Sequence, residues 1–132
     1  MIGVVIVTHA RLAEELRRAA ELILGPQPAL QTVNIEQETS VDEARRRVVA
    51  AVEATGADGE GVLILTDLFG GTPTNISAEL LQKGRVEILA GVNLPMLLKC
   101  SGARTSHSLE ELTLMLKEYT RTAIVRPLDL LS

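Results

Sequence analysis

Aromatic residues make up only 2% of this 132-residue sequence, with one phenylalanine, one tyrosine and no tryptophan. Platforms that stack single-stranded bases need several exposed rings, so that class of function drops out. The 13 lysines and arginines are scattered and outweighed by 17 acids, for a net charge of −4. A phosphate-backbone surface needs clustered basic residues, and no nucleic-acid partner is expected. A single cysteine, Cys100, closes no internal disulfide and suits a reducing compartment. No apolar stretch approaches the ~20 residues a membrane helix needs. The Met-Ile-Gly start lacks the basic segment of a secretory signal, and the expected location is the cytoplasm. Two familiar phosphate loops are also missing: there is no Gly-x-x-x-x-Gly-Lys, and Gly59-x-Gly61 precedes its strand where a dinucleotide loop would follow one. Two histidines and one cysteine show no metal-ligand spacing, so neither a metal nor a cofactor is expected. Ser77 and Ser101 lack the strand–turn–helix setting of a nucleophile elbow.

Against these absences stands ordinary globular usage, 46% hydrophobic and 23% charged, enough for one domain over residues 1–132. Five short strand candidates alternate with helical patterns. Met1 to Val7 is an apolar β-branched run ending at Thr8-His9, and Leu12, Leu16, Ala19, Ala20 and Ile23 then recur at helical spacing up to Gly25-Pro26. Leu30 to Ile35 reads as a second strand. Ser40 with Glu43, and Ser108 with Glu111, have the capping-box spacing of helix starts. Gly61-Val62-Leu63-Ile64-Leu65 is apolar enough for a strand buried on both faces, and Val86 to Val92 gives a fourth. Asn93-Leu94-Pro95 looks like a helix start, and Ser101 to Ser106 like a polar loop. Thr122 to Arg126 reads as a short fifth strand that Pro127 confines to an edge. The implied fold is α/β: a doubly wound, mostly parallel open sheet with helices on both faces and a short antiparallel C-terminal edge strand.

Ligands of such sheets bind beyond the carboxyl ends of the strands. Three polar segments fall there: Thr8-His9, Asp67 with the turn that follows it, and Asn93. Gly70 and Gly71 permit a tight turn, Thr72 can cap the next helix, and Pro73 sits where a first helical residue would. The amino end of that helix is an anion site. A carboxylate at Asp67 can accept one ring N–H of His9 and leave the other nitrogen's lone pair facing outward. Imidazole, with an ordinary pKa of about 6.5, is then a neutral nucleophile near pH 7. Together these parts describe a histidine that is reversibly phosphorylated, with Thr8, Gly70, Gly71 and Thr72 around the phosphoryl group. The plainer alternatives are a histidine that caps a strand end, an Asp67 that satisfies loop N–H groups, and glycines that only make a turn. His107 reads as structural or solvent-exposed, and Cys100 as a buried small residue.

Three segments carry a family resemblance: Val5-Ile6-Val7-Thr8-His9, Leu65-Thr66-Asp67-Leu68-Phe69-Gly70-Gly71-Thr72-Pro73-Thr74-Asn75, and Ala90-Gly91-Val92-Asn93-Leu94-Pro95-Met96-Leu97. In this order the sequence resembles the enzyme IIA domain of the mannose family in the bacterial phosphoenolpyruvate-dependent sugar phosphotransferase system, over the whole domain. The resemblance implies that His9 accepts a phosphoryl group from the carrier protein HPr and passes it to a IIB partner serving membrane IIC and IID subunits. It implies that Asp67 orients His9, and that the protein is a homodimer exchanging its last strand. The apolar tail at Leu128, Leu130 and Leu131 is compatible with that exchange. As the sequence carries no IIB domain, the acceptor is expected to be a separate protein. The family often has glycine directly after the active histidine, where this sequence has Ala10 followed by Arg11. Arg11 either meets a phosphoryl group or acidic partner, or is solvated at the first helical turn. An alternative role is regulatory, with phosphorylation of His9 setting which partner is bound and no sugar moved. The phosphoryl-donor subunit of dihydroxyacetone kinase shares the early histidine strand, but the Phe69-Gly70-Gly71-Thr72-Pro73 turn fits the mannose family better.

Overall fold

A computed structural model describes residues 1–131, which form four strands, five α-helices and a closing 3₁₀ turn. In chain order these are β1 (Gly3–His9), α1 (Leu12–Leu24), β2 (Leu30–Ile35), α2 (Val41–Thr55), β3 (Val62–Thr66), α3 (Gly71–Ala78), β4 (Val86–Ala90), α4 (Leu94–Ala103) and α5 (Leu109–Thr122), with the 3₁₀ turn at Pro127–Leu130. The strands lie parallel in the order β2-β1-β3-β4. β1 and β3 are therefore the two central strands, which is why GVVIVTH and VLILT are almost continuously apolar.

Side chains alternate across a strand, and here the alternation builds two cores. Val4 and Ile6 of β1 with Leu63 and Leu65 of β3 face α1, α4 and α5. Val5, Val7, Val33, Ile64 and Val86 face α2 and α3. The helix after the first strand thus lies on the α4–α5 face. Its expected apolar stripe is shifted: Ala13 and Ala20 are buried, while Leu12 and Ile23 are exposed.

Both serine helix starts are found where expected, with different completeness. At α5 the Ser108 hydroxyl accepts the Glu111 N–H at 3.2 Å, and the Glu111 carboxylate accepts the Ser108 N–H at 2.8 Å. At α2 only half the box forms. Ser40 accepts the Glu43 N–H at 3.1 Å, while the Glu43 carboxylate turns to Arg46 and Arg47. α4 begins as expected, with Asn93 Oδ1 accepting the Met96 N–H at 2.9 Å. It then runs through the expected polar loop to Ala103. The next residue, Arg104, is buried, and its guanidinium donates to the carbonyls of Ile2, Pro28 and Ala29. Nothing in the sequence pattern marked it. Three carbonyl acceptors offset the large cost of burying its charge.

The expected fifth strand is not formed within the chain. α5 continues to Thr122, the next four residues join no strand, and Pro127 opens the 3₁₀ turn. A strand exists only with a neighbour to pair, and this tail meets none within its own chain. Ile124, Val125, Leu128, Leu130 and Leu131 consequently lie exposed.

Candidate active site

The order β2-β1-β3-β4 reverses direction between β1 and β3, where successive connections leave on opposite sides and open a crevice beyond the strand ends. His9 is the last residue of β1, and Asp67 follows the last residue of β3. The parallel register sets Val7 beside Thr66, which brings the two side chains together. His9 Nδ1 lies 2.9 Å from Asp67 Oδ2, and the His9 backbone N–H donates to the same oxygen at 3.0 Å. The other carboxylate oxygen accepts the Leu68 N–H at 3.1 Å. A carboxylate only accepts, so the ring proton sits on Nδ1 and the Nε2 lone pair is free. The His9 side chain is 48% exposed and that of Asp67 11%. One group is open to a reactant and the other is held behind it.

The turn after Asp67 closes on the ring's free side. Gly70 and Gly71 both take positive φ, +105° and +78°. A Cβ on Gly71 would sit 3.1 Å from His9 Cε1 and 3.2 Å from Nε2, so only glycine leaves the ring its position. α3 starts at Gly71 with Gly70 in the cap position and no side-chain cap. The expected cap at Thr72 is therefore corrected: Thr72 is already inside the helix and lines the cleft, and Pro73 is the third helical residue. The first N–H groups of α3 are left without side-chain partners next to Nε2, and no acid occupies the first turn.

Thr8 is turned away from the ring. It is 0% exposed, and its hydroxyl accepts the Ala13 N–H at 2.6 Å, capping α1. Strand alternation turns Thr8 to the face opposite His9, a rule that was available from sequence. Its hydroxyl is thus engaged with the start of α1. Asn93, the third polar strand end, is likewise engaged as the cap of α4. Arg11 is exposed at the cap position of α1 and forms no ion pair among the described residues.

His9 opens on a cleft of about 580 Å³ whose far wall is the β2–α2 loop, Glu36 to Thr39, with Val41 beyond it. Sequence reading did not place this loop at the site. Its signal is the β1–β2 register, which sets Ile35 beside His9 and lets the Ala10 N–H donate to the Ile35 carbonyl at 2.9 Å. Ala10 has φ +51°, a left-handed conformation that favours glycine.

The other reactive side chains are occupied elsewhere. Burial pushes the Cys100 thiol up to about 11, so it stays protonated at neutral pH. His107 Nδ1 faces the Ala103 carbonyl at 2.9 Å, a structural contact. Among the described residues no group of acids, histidines and cysteine is arranged to hold a metal ion, and no helix is long and apolar enough to cross a membrane.

Comparison with known proteins converges on one system. A family model described as "PTS system fructose IIA component", EIIA-man, matches residues 3–117. The sorbose-specific EIIA component of Lacticaseibacillus casei is 34% identical over 110 residues, covering 83% of this chain and 78% of that protein. The mannose-specific EIIAB component of Escherichia coli is 33% identical over 128 residues, 93% of this chain but only 38% of that longer protein. Among solved structures, the phosphotransferase system component EIIA from Streptococcus agalactiae superposes with a TM-score of 0.83 at 29% identity, covering 96% of this chain and 97% of its own. A histidine held by a carboxylate at the switch point of a parallel sheet thus occurs here in a chain that belongs to the EIIA-man family, the IIA components of the sugar phosphotransferase system.

Proposed function

We propose that this IIA component carries a phosphoryl group on His9 Nε2, accepting it from phospho-HPr and passing it to a IIB partner for sugar uptake and phosphorylation. The observation that carries the reading is the division of labour on one ring: Nδ1 is committed to Asp67 at 2.9 Å and Nε2 is free beside Gly71. In the transfer, the Nε2 lone pair attacks phosphorus as the phosphorus–nitrogen bond of the donor's phosphohistidine breaks. The ring becomes cationic while Nδ1–H remains on Asp67, which stabilises that charge. Charge on the phosphoryl oxygens meets the uncapped N–H groups at Gly71 and Thr72 and the positive end of α3. The return step to IIB reverses these movements.

A protein donor and acceptor suit the surroundings of the ring. The cleft is open and Val41 lines it, while Leu68 and Phe69, in the turn that follows Asp67, are exposed, Phe69 at 89%. Exposed rings and aliphatic groups around a reactive centre are what a protein partner covers. Glu36 and Glu38 on the far wall have no ion-pair partner among the described residues and offer acceptors to a basic partner surface. The homodimer belongs to the same reading. β4 is a sheet edge, and the exposed apolar tail from Ile124 to Leu131 has no strand to join in its own chain, so exchange onto a partner's β4 would satisfy both.

The test is incubation with phosphoenolpyruvate, enzyme I and HPr. One phosphoryl group per chain, labile in acid and stable in alkali, is expected on the wild type and none on His9→Ala. A His9→Ala protein that still takes up the label refutes the assignment.

A further inference from the structure

Asp67 is flanked on both sides by residues tied to a single threonine of α3. Thr74 Oγ1 lies 2.6 Å from the Leu68 carbonyl oxygen and 2.8 Å from Thr66 Oγ1. A carbonyl can only accept, so Thr74 spends its one proton on Leu68, and Thr66 donates to Thr74. Both threonines are buried, Thr66 at 0% and Thr74 at 8% exposed. The backbone around them is already committed, because the Thr66 carbonyl accepts the Gly91 and Val92 N–H groups at 2.9 Å each. The residue before Asp67 and the residue after it are thus fastened to the first turn of α3, the turn that begins beside His9 Nε2.

We propose that Thr66 and Thr74 form a two-hydroxyl relay that positions Asp67 on His9 and holds the start of α3 at a fixed distance from the ring. Neither hydroxyl touches the ring or a reactant; they are positioning residues. All three hydrogen bonds to the Asp67 carboxylate come from His9 and Leu68, so its aim depends on where the Leu68 backbone is held. Without the relay, Leu68 is free to rotate away and take its N–H off Oδ1. The carboxylate then swings, and Nδ1 loses the acceptor that fixes its proton. Local hydroxyl bonds of this kind lock a turn that two glycines otherwise leave free.

The experiment reads the ring itself. ¹⁵N NMR of the His9 imidazole in alkaline buffer, where the ring signals no longer change with pH, distinguishes the two neutral tautomers. Wild type is expected to show Nδ1–H alone. Thr74→Val, which keeps the side-chain shape and removes both bonds, is expected to add a population of Nε2–H; Thr74→Ser, which keeps the hydroxyl, is expected to match wild type. This reading does not depend on the phosphoryl relay, so its failure is separable from failure of the proposed function. Resting on that function, phosphorylation by phospho-HPr should slow about tenfold in Thr74→Val through kcat with KM unchanged, the scale on which outer hydrogen-bond partners tune a histidine. Wild-type ring signals in Thr74→Val, or a Thr74→Ser protein that behaves like it, overturn the proposal. Should Thr74→Val not fold, Thr66→Val removes only the first bond of the relay. A smaller admixture of Nε2–H is then expected, and unchanged ring signals count against the proposal in the same way.

Discussion

The amino ends of α5 and α3 are built on opposite principles. α5 begins with a complete reciprocal box, in which Ser108 and Glu111 each satisfy the other's backbone N–H. α3 begins with two glycines at positive φ, no side-chain cap and no acid in its first turn. The first arrangement spends its polar groups on the fold. The second leaves N–H groups and a positive dipole end unspent, and it does so beside His9 Nε2. Side chains cap α2, α4 and α5, and the Thr8 hydroxyl accepts an N–H of the first turn of α1, so among the described residues α3 is the α-helix that begins without such a partner.

The sharpest way to break this contrast is Gly71→Ala. The new Cβ would fall 3.1–3.2 Å from the ring at φ +78°, so either the imidazole leaves Asp67 or the helix start shifts. Phosphoryl acceptance should fall by about tenfold, because the ring or the helix start must give by a few tenths of an ångström at a positive φ. An unchanged labelling rate would show that the close approach of glycine to the ring has no role.

The capped end predicts the converse. Ser108→Ala should cost about 1 kcal/mol of stability in denaturant unfolding and leave the transfer rate as it was. The Glu111 carboxyl is held below its usual range chiefly by the Ser108 backbone N–H, with the Ser108 hydroxyl contributing. A depressed folded-state pKa stabilises above the ordinary carboxylate value, and the effect is lost as pH falls through the lowered one. At pH 7 wild type should therefore be more stable than Glu111→Gln, with the gap closing in acid. A gap that widens in acid would contradict this.

The smallest effect concerns the left-handed residue next to the nucleophile. Ala10→Gly relieves roughly 1 kcal/mol of strain at φ +51° and adds about 0.5–1 kcal/mol of chain entropy. The net change should stay within about 0.5 kcal/mol of wild type by thermal unfolding, with transfer unaffected. A loss above about 1 kcal/mol would mean that the methyl packs against the cleft wall.

Much of this was legible in the sequence because it is local. Capping residues act over three positions, and β1 and β3 declare themselves through unbroken β-branched and aliphatic runs. His9 and Asp67 could be placed at strand ends by the same means. Strand order is not local, so the wall at Glu36 to Thr39 came only with the register that sets Ile35 beside His9. The Thr66–Thr74 bond and the buried Arg104 join residues whose neighbours say nothing about them. The contact of Thr8 with α1 follows from strand alternation, which sets it on the face opposite His9. The tail at 123–126 has strand-like residues and, within one chain, no strand to pair with.

The most direct measurement is which ring nitrogen carries the phosphoryl group. After phosphorylation by phospho-HPr, ¹⁵N and ³¹P NMR should show His9 substituted at Nε2, with Nδ1 still protonated toward Asp67. Substitution at Nδ1, or phosphate on any residue other than His9, would contradict the account.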